Sequence, residues 1–422
     1  MSEHFDVIVA GGGMVGGLLA AALGSVRGAG EPLSVCVLEA ARPEPFEIGS
    51  DPAHDIRVSA VSVASERLFR AVGAWDGVIA RRACRFRRMR VWDGEADAAT
   101  HKGTEFDAHE VGVPALGYIV ENRVLQLALL DCIETLPSVT LRCPARLAHY
   151  RLSTQADGAS QAAVTLESGE TLTASLLVGA DGARSTVREQ AGITMSRSVY
   201  EQRAMVATVS TALPQQDITW QRFVPTGPQA MLPLSGHHAS LVWYHNEDEI
   251  QRLSALDEAT FIEELEGAFP AELGSITAVH QRASFPIAKA LAESYIGDRI
   301  ALVGDACHTV HPLAGQGVNL GMLDAGALAE TLRDARLAGQ DIGARRTLRR
   351  YERWRRGENA MMATILDGFH KAFSPQAAPV RGARALALDV AGHVNPARKL
   401  VTRYASGLAG DLPRLARTGE PG

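Results

Sequence analysis

The sequence predicts an α/β chain: a discontinuous Rossmann-like dinucleotide-binding domain, an inserted and mainly antiparallel β-sheet domain, and a C-terminal helical region. Three observations predict it. An apolar run near the N-terminus leads into a glycine-rich turn and an apolar helix. Near residue 300 a second apolar run leads into another glycine-rich loop and helix. Between them, residues 203–246 alternate apolar and polar, the period of a half-buried sheet.

Taken in order, residues 5–10 read as a buried strand, 11–17 as a tight glycine turn, and 18–23 as the start of a helix. Residues 33–38 are a second buried strand, which completes a βαβ unit with a parallel sheet. The intervening 24–32 is longer than such a unit needs and reads as a surface insertion. A helix is expected over 122–136. Residues 163–167 and 171–178 read as a hairpin and a buried strand ending at Gly179-Ala180-Asp181-Gly182. In the alternating stretch, turns fall at 226–228 and 235–236. A helix follows over 257–268 and a strand over 277–287. Residues 300–304 form a buried strand, and helices cover 317–338 and 345–373. The tail from 374 is partly helical. The dinucleotide domain thus comprises 1–80, 115–200 and 288–345. The substrate-binding sheet domain comprises 81–114 and 201–287, and 346–422 form the helical region.

Bulk properties narrow the function. The chain has 422 residues, 46% apolar and 21% charged, which suits a globular protein with a large core. A net charge of −6 gives no general attraction to nucleic acid. Cys36, Cys84, Cys132, Cys143 and Cys307 are scattered, which predicts neither a disulfide framework nor a metal site. Glu3 and Asp6 replace the basic start of a secretory signal, and no apolar run reaches spanning length. The expected location is cytoplasmic, with any membrane contact peripheral, at the inner face.

Three motifs carry chemistry. In Gly11-x-Gly13-x-x-Gly16, Gly11 permits the turn, Gly13 lets backbone approach a pyrophosphate, and Gly16 allows close helix–strand packing. The helix N-terminus offers free N–H groups to the phosphates. Glu39, at the end of the second strand, is placed to take ribose hydroxyls and disfavours a 2′-phosphate there. The second motif runs Gly304-Asp305-Ala306-x-His308-x3-Pro312-x2-Gly315-Gln316-Gly317-x-Asn319-x-Gly321. Asp305 at a strand end can hold a hydroxyl of a sugar-alcohol chain, and Gly315 and Gly317 let backbone lie against a flat ring. The helix behind them points its positive end at the same place. The third motif is Gly179-Ala180-Asp181-Gly182-x-x-Ser185-x-x-Arg188, with Asp181 at a strand end facing the crevice and Ser185 as a helix cap.

On these motifs the chain resembles the FAD-dependent aromatic hydroxylases related to p-hydroxybenzoate hydroxylase, and more narrowly the ubiquinone-biosynthesis hydroxylases. The resemblance also covers Asp55-x-Arg57, Tyr200-x-Gln202, Arg222-Phe223, the run Gly227-Pro228-x-Ala230-x-Leu232-Pro233-Leu234, and the tail from Gly407 to Pro413. It implies FAD as cofactor and NAD(P)H as electron donor. It further implies hydroxylation, through a peroxyflavin, of the ring of a hydrophobic polyprenylated phenol. Membership of a ubiquinone-biosynthesis complex would go with that role. By the resemblance Pro312, Gly315, Gln316 and Gly317 form the catalytic loop, with the Pro312 carbonyl beside the reacting ring. Arg57 and Arg123 lie near the FAD. Two other readings stay open: a hydroxylase of a soluble aromatic, and a flavin-bearing scaffold without turnover.

Other residues have plainer readings. His308 braces the loop, and Cys307 is a small packed residue. Trp243, Tyr244 and His245 belong to the core or surface of the sheet. Six arginines in 81–90 and seven in 345–356 read as solvated faces. The tail, with Arg398, Lys399, Arg403, Arg414 and Arg417 among apolar residues, is the better candidate for a partner or an anionic membrane surface.

Overall fold

In the computed structural model, residues 3–25, 31–50, 53–94, 103–154, 158, 160–269, 271–310, 316–372 and 395–418 are described. The first sheet places its strands in the order 296–297, 300–302, 171–179, 4–10, 35–38 and 139–142, and the inner pairings are parallel. A hairpin of Leu147–Thr154 and Ser160–Leu166 joins it through Thr171–Gly179. The helix Met14–Gly24 follows the first strand and is buried all round from Gly16 onward. It lies against both Asn122–Glu134 and Gln316–Leu337. This explains why the strand at 4–10 is apolar on both faces: helices leave it no wet side.

The second sheet runs 308–309, 276–292, 195–211, 238–246, 227–233, 218–224, 88–93 and 104–107. Its neighbours are antiparallel except at one place, where Ile218–Val224 runs parallel to Arg88–Asp93. One face is closed by the helices Glu247–Ala255 and Glu258–Ala268, whose Ile250, Leu253, Phe261 and Leu265 pack on Met205, Ala207, Leu241 and Trp243. The Asp257 carboxylate starts the second helix by accepting from the Thr260 N–H at 3.0 Å. The other face looks toward the first sheet. His308 and Thr309, at the start of the second glycine-rich loop, pair with Leu291 and Ala290, so the loop is stitched to the edge of this sheet.

Residues 58–121 hold more than the sequence reading assigned. The helix Val63–Val72 is capped by Ser62 and ended by Gly73, and Trp75–Arg81 follows. Val58–Ser62, Gly117–Glu121 and Cys84–Phe86 make a small third sheet. The tail is partly helical as expected, over Asn395–Ala405 and Arg414–Thr418. Arg398 binds the Glu105 carbonyl and the Glu110 carboxylate, Arg414 binds Glu330 and Asp334, and Arg417 binds Asp411. A Cβ on Gly407 would sit 2.7 Å from Ser62 Oγ. Residues 395–418 are therefore folded onto the body, and Arg398, Arg414 and Arg417 meet acids of the same chain. Several arginines of 81–90 are likewise occupied: Arg81 by Asp131, Arg82 by Glu121, and Arg88 by Asp217.

Candidate functional site

The glycine turn is built as its spacing predicts. Gly11 has φ of +102°, and a Cβ there would lie 2.4 Å from the Ala180 carbonyl oxygen. A Cβ on Gly16 would fall 1.9 Å from the Gly11 oxygen. Gly13 is different: no atom lies within 4 Å of where its Cβ would be. The helix that it precedes has no side-chain cap and no acid in its first turn. The turn is thus an open cradle of N–H groups with room for an anion. Glu39 accepts from the N–H of Gly12 at 2.7 Å and of Ala41 at 3.1 Å, which holds its carboxylate against the turn.

Arg57 and Arg123 lie in different surroundings. Arg57 is exposed and lines the cleft near Asp305. Arg123 instead makes a two-pronged pair with Asp55, 3.0 Å at both oxygens. The Asp55 N–H donates to Glu121, whose carboxylate also takes both prongs of Arg82. Phe46 has both guanidiniums near its ring, at 5.1 and 5.4 Å. Arg123 therefore anchors the segment that carries Arg57 and is not among the residues lining the cleft.

At the second loop, Gly304 takes φ of +61° against Val15, and Asp305 follows it into the cleft. The Asp305 carboxyl is open to solvent inside a concave wall. Desolvation by that wall raises its pKa, opposed by His308 and Arg57. Gly317 lines the same cleft, and a Cβ there would meet only Val310 Cγ2, at 4.0 Å. Gln316 opens the helix that follows. Pro312 and Gly315, with His311, lie outside the described residues. Asp181 turns one oxygen to the N–H groups of Thr186 and Val187 and so caps the helix Thr186–Gln190, as Ser185 does at Arg188. Asn319 is 2% exposed and bonds Ser62, Ser65 and Ala60, which ties the loop helix to the strand 58–62. Its side chain positions the loop rather than facing a ligand.

Sequence reasoning missed the group beneath the loop. Asp324 Oδ1 accepts from Arg355 Nε at 2.8 Å and Asn359 Nδ2 at 2.9 Å. Its Oδ2 accepts from the Gly304 N–H at 3.2 Å and lies 2.5 Å from His308 Nε2. Burial acts to raise the Asp324 pKa, but His308 and Arg355 more than reverse this and hold it at about 2. Cys307, His308 and Asp324 are close enough to suggest a metal centre. The Arg355 guanidinium already fills the carboxylate's cationic side, so a metal ion would meet repulsion there. The available signal was an acid in an otherwise apolar helical stretch, at Gly321-Met322-Leu323-Asp324-Ala325.

These elements enclose one cavity of about 620 Å³. Gly13, Arg57, Gly304, Asp305 and Gly317 line one side; Ala204, Val206, Ala230, Leu232, Val242 and Tyr244 of the second sheet line the other. Tyr244 thus faces the cavity, whereas Trp243 is in the helix-covered core. The cradle, the carboxylate at the strand end and the open Gly317 fit a dinucleotide that carries a flat ring.

The model of a family described as FAD binding domain matches residues 4–363. The 3-demethoxyubiquinol 3-hydroxylase of Escherichia coli is 40% identical, over 96% of this chain and 100% of that protein. Ubiquinone hydroxylase UbiL of Rhodospirillum rubrum is 39% identical, over 98% and 92%. Among solved structures, p-nitrophenol 4-monooxygenase PnpA of Pseudomonas putida superimposes with a TM-score of 0.76 at 19% identity, covering 98% of this chain and all of that one.

Proposed function

The chain belongs to the FAD binding domain family and, within it, to the ubiquinone-biosynthesis hydroxylases, and on that premise we propose that it hydroxylates the ring of a polyprenylated phenol with NAD(P)H as electron donor. It is an FAD-dependent aromatic monooxygenase. Bound FAD supplies electron transfer and activation of O₂. The residues do the rest. Gly11, Gly13 and Gly16 shape the pyrophosphate cradle, Glu39 takes ribose hydroxyls, and Asp305 holds the sugar-alcohol chain. Arg57 lies at the cofactor side of the cleft, held there by Asp55 and Arg123. Gly304 and Gly317 let backbone lie close to the flat ring, while Asp181 and Asn319 position the segments around it. Pro312, Gly315 and Gln316 complete the catalytic loop. The apolar sheet face excludes water from the reacting centre.

The observation that carries this reading is the single cavity shared by the glycine cradle and a largely apolar sheet. A prenylated substrate gives a reason for peripheral membrane contact and for assembly with enzymes acting before and after this one. Exposed Arg346, Arg349, Arg353 and Arg356 on Arg345–Ala372 supply a basic face for it, together with exposed Lys399 and Arg403 of the tail. No helix of the described residues is long and apolar enough to cross a membrane. The test is mass spectrometry of quinone lipids from cells lacking the gene, with and without a plasmid copy. Accumulation of a prenylated precursor short of one ring oxygen, reversed by the plasmid, is the expected result. An unchanged quinone pool, in cells shown to hold no second hydroxylase, would count against the substrate class and favour a soluble aromatic.

A further inference from the structure

The sheet face over the cavity carries a pattern that the proposed function leaves unused. Side chains on this face come from alternate positions of four adjoining strands, and the register orders them. Gln221 pairs with Ala230, Ala230 with Val242, and Val242 with Val206. Two residues along, roughly 7 Å away, Leu232 pairs with Ser240 and Ser240 with Thr208. Thr219 extends that second row on the strand bearing Gln221. Ala230, Val242 and Val206 form a smooth apolar strip the size of a ring. Polar groups gather beside it, as Thr219, Gln221 and Ser240.

All three line the cavity. Thr219 and Ser240 are buried, at 6% and 0% exposure. Ser240 Oγ has no hydrogen-bond partner among the described residues, and none is found for the Thr219 hydroxyl or the Gln221 amide. Buried polar groups are rarely left unpaired, because each has given up water for nothing. Ser240 Oγ is such an atom, and beside it the Thr219 hydroxyl and the half-buried Gln221 amide open onto the cavity without a protein partner; a ligand at this corner of the apolar wall would complete all three. The charge pattern restricts that ligand further. The described residues that line the cavity include one cation, Arg57, and it lies beside Asp305 on the cofactor side. A carboxylate on the ring would find no counter-charge at the sheet.

Resting on the hydroxylase reading, we propose that Thr219, Gln221 and Ser240 recognise the oxygen substituents of a neutral ring, bearing hydroxyl or methoxy groups, that lies on Ala230, Val242 and Val206. The Gln221 amide and the two hydroxyls donate to those oxygens, and the tail leaves along the apolar part of the wall.

The test uses the full-length FAD-loaded protein and three probes: a short-chain prenylated 2-methoxyphenol, the matching prenylated benzene without ring oxygens, and 4-hydroxybenzoate. Binding is read from the flavin absorbance, and coupling from product formed per NAD(P)H consumed. The wild type should prefer the methoxyphenol over both others. Gln221→Leu, Thr219→Val and Ser240→Ala should each weaken its binding about tenfold and lower the coupling. Binding of the oxygen-free ring and FAD content should not change, and Thr219→Ser should bind as the wild type does. Variants that bind the methoxyphenol normally, or lose both prenylated rings equally, overturn this inference alone. A wild-type protein that retains FAD but binds and oxidises no phenol overturns the hydroxylase reading, and the inference with it.

Discussion

Replacing Asp324 by Asn removes one buried charge and almost no volume. Asp324 has no exposed surface, and Arg355, its cationic partner, has 1%. Removing one partner of such a pair costs about 3–5 kcal/mol, because the remaining charge stays buried without its counter-ion. Total stability of a native protein is roughly 5–15 kcal/mol, so the loss is a large part of it. The amide also brings a donor where none fits: its NH₂ must face either Gly304 N–H and His308, or Arg355 and Asn359. Thermal unfolding of the apoprotein should fall by roughly 3–6 °C. FAD affinity should fall with it if, as proposed, the loop that begins at Gly304 and His308 holds the cofactor. A melting curve and an FAD titration both matching the wild type would refute the reasoning. Adding Arg355→Met should recover part of the loss; no recovery would show that the charge is not its cause. The acid limb offers a further check. Asp324 is held at about 2, below its ordinary 3.8, so its contribution is complete above the ordinary value and drains away as pH falls toward 2. The Asp324→Asn protein should lack that portion of the acid loss.

Gly13 and Gly16 should separate cofactor binding from folding. Gly16→Ala forces a methyl into the Gly11 carbonyl and should yield little folded protein, whereas Gly13→Ala has free space and should keep the apoprotein melting point while weakening FAD binding severalfold. Equal melting losses in both would show that the space at Gly13 is not what the cofactor uses. Asp305→Ala should fold, lose FAD on gel filtration and fail to hydroxylate; an active, flavin-retaining variant would overturn its assignment.

The local half of this protein was legible in the sequence. Residues 5–10 and 33–38 are apolar on both faces because helices cover both sides, and the glycine spacing at 11–16 could be read from the strand–turn–helix pattern, although the contact that demands Gly11 comes from Ala180, far along the chain. The strand at 300–302 and helix at 316–337 could be read for the same reason. The alternation over 203–246 gave the inserted sheet. What stayed hidden depends on where the chain returns. Residues 84–93 divide between two sheets because their partners, at 117–121 and 218–224, lie far along the sequence. Arg81, Arg82, Arg88, Arg398 and Arg414 looked like free cations until distant acids were folded beside them. Asp324, Arg355 and His308 are separated by up to 47 residues and become one group only in the folded state. Periodicity records which face of an element is buried; it carries no record of what covers that face. The apolar strip and its polar corner above the cofactor cleft were therefore decided by strand register alone.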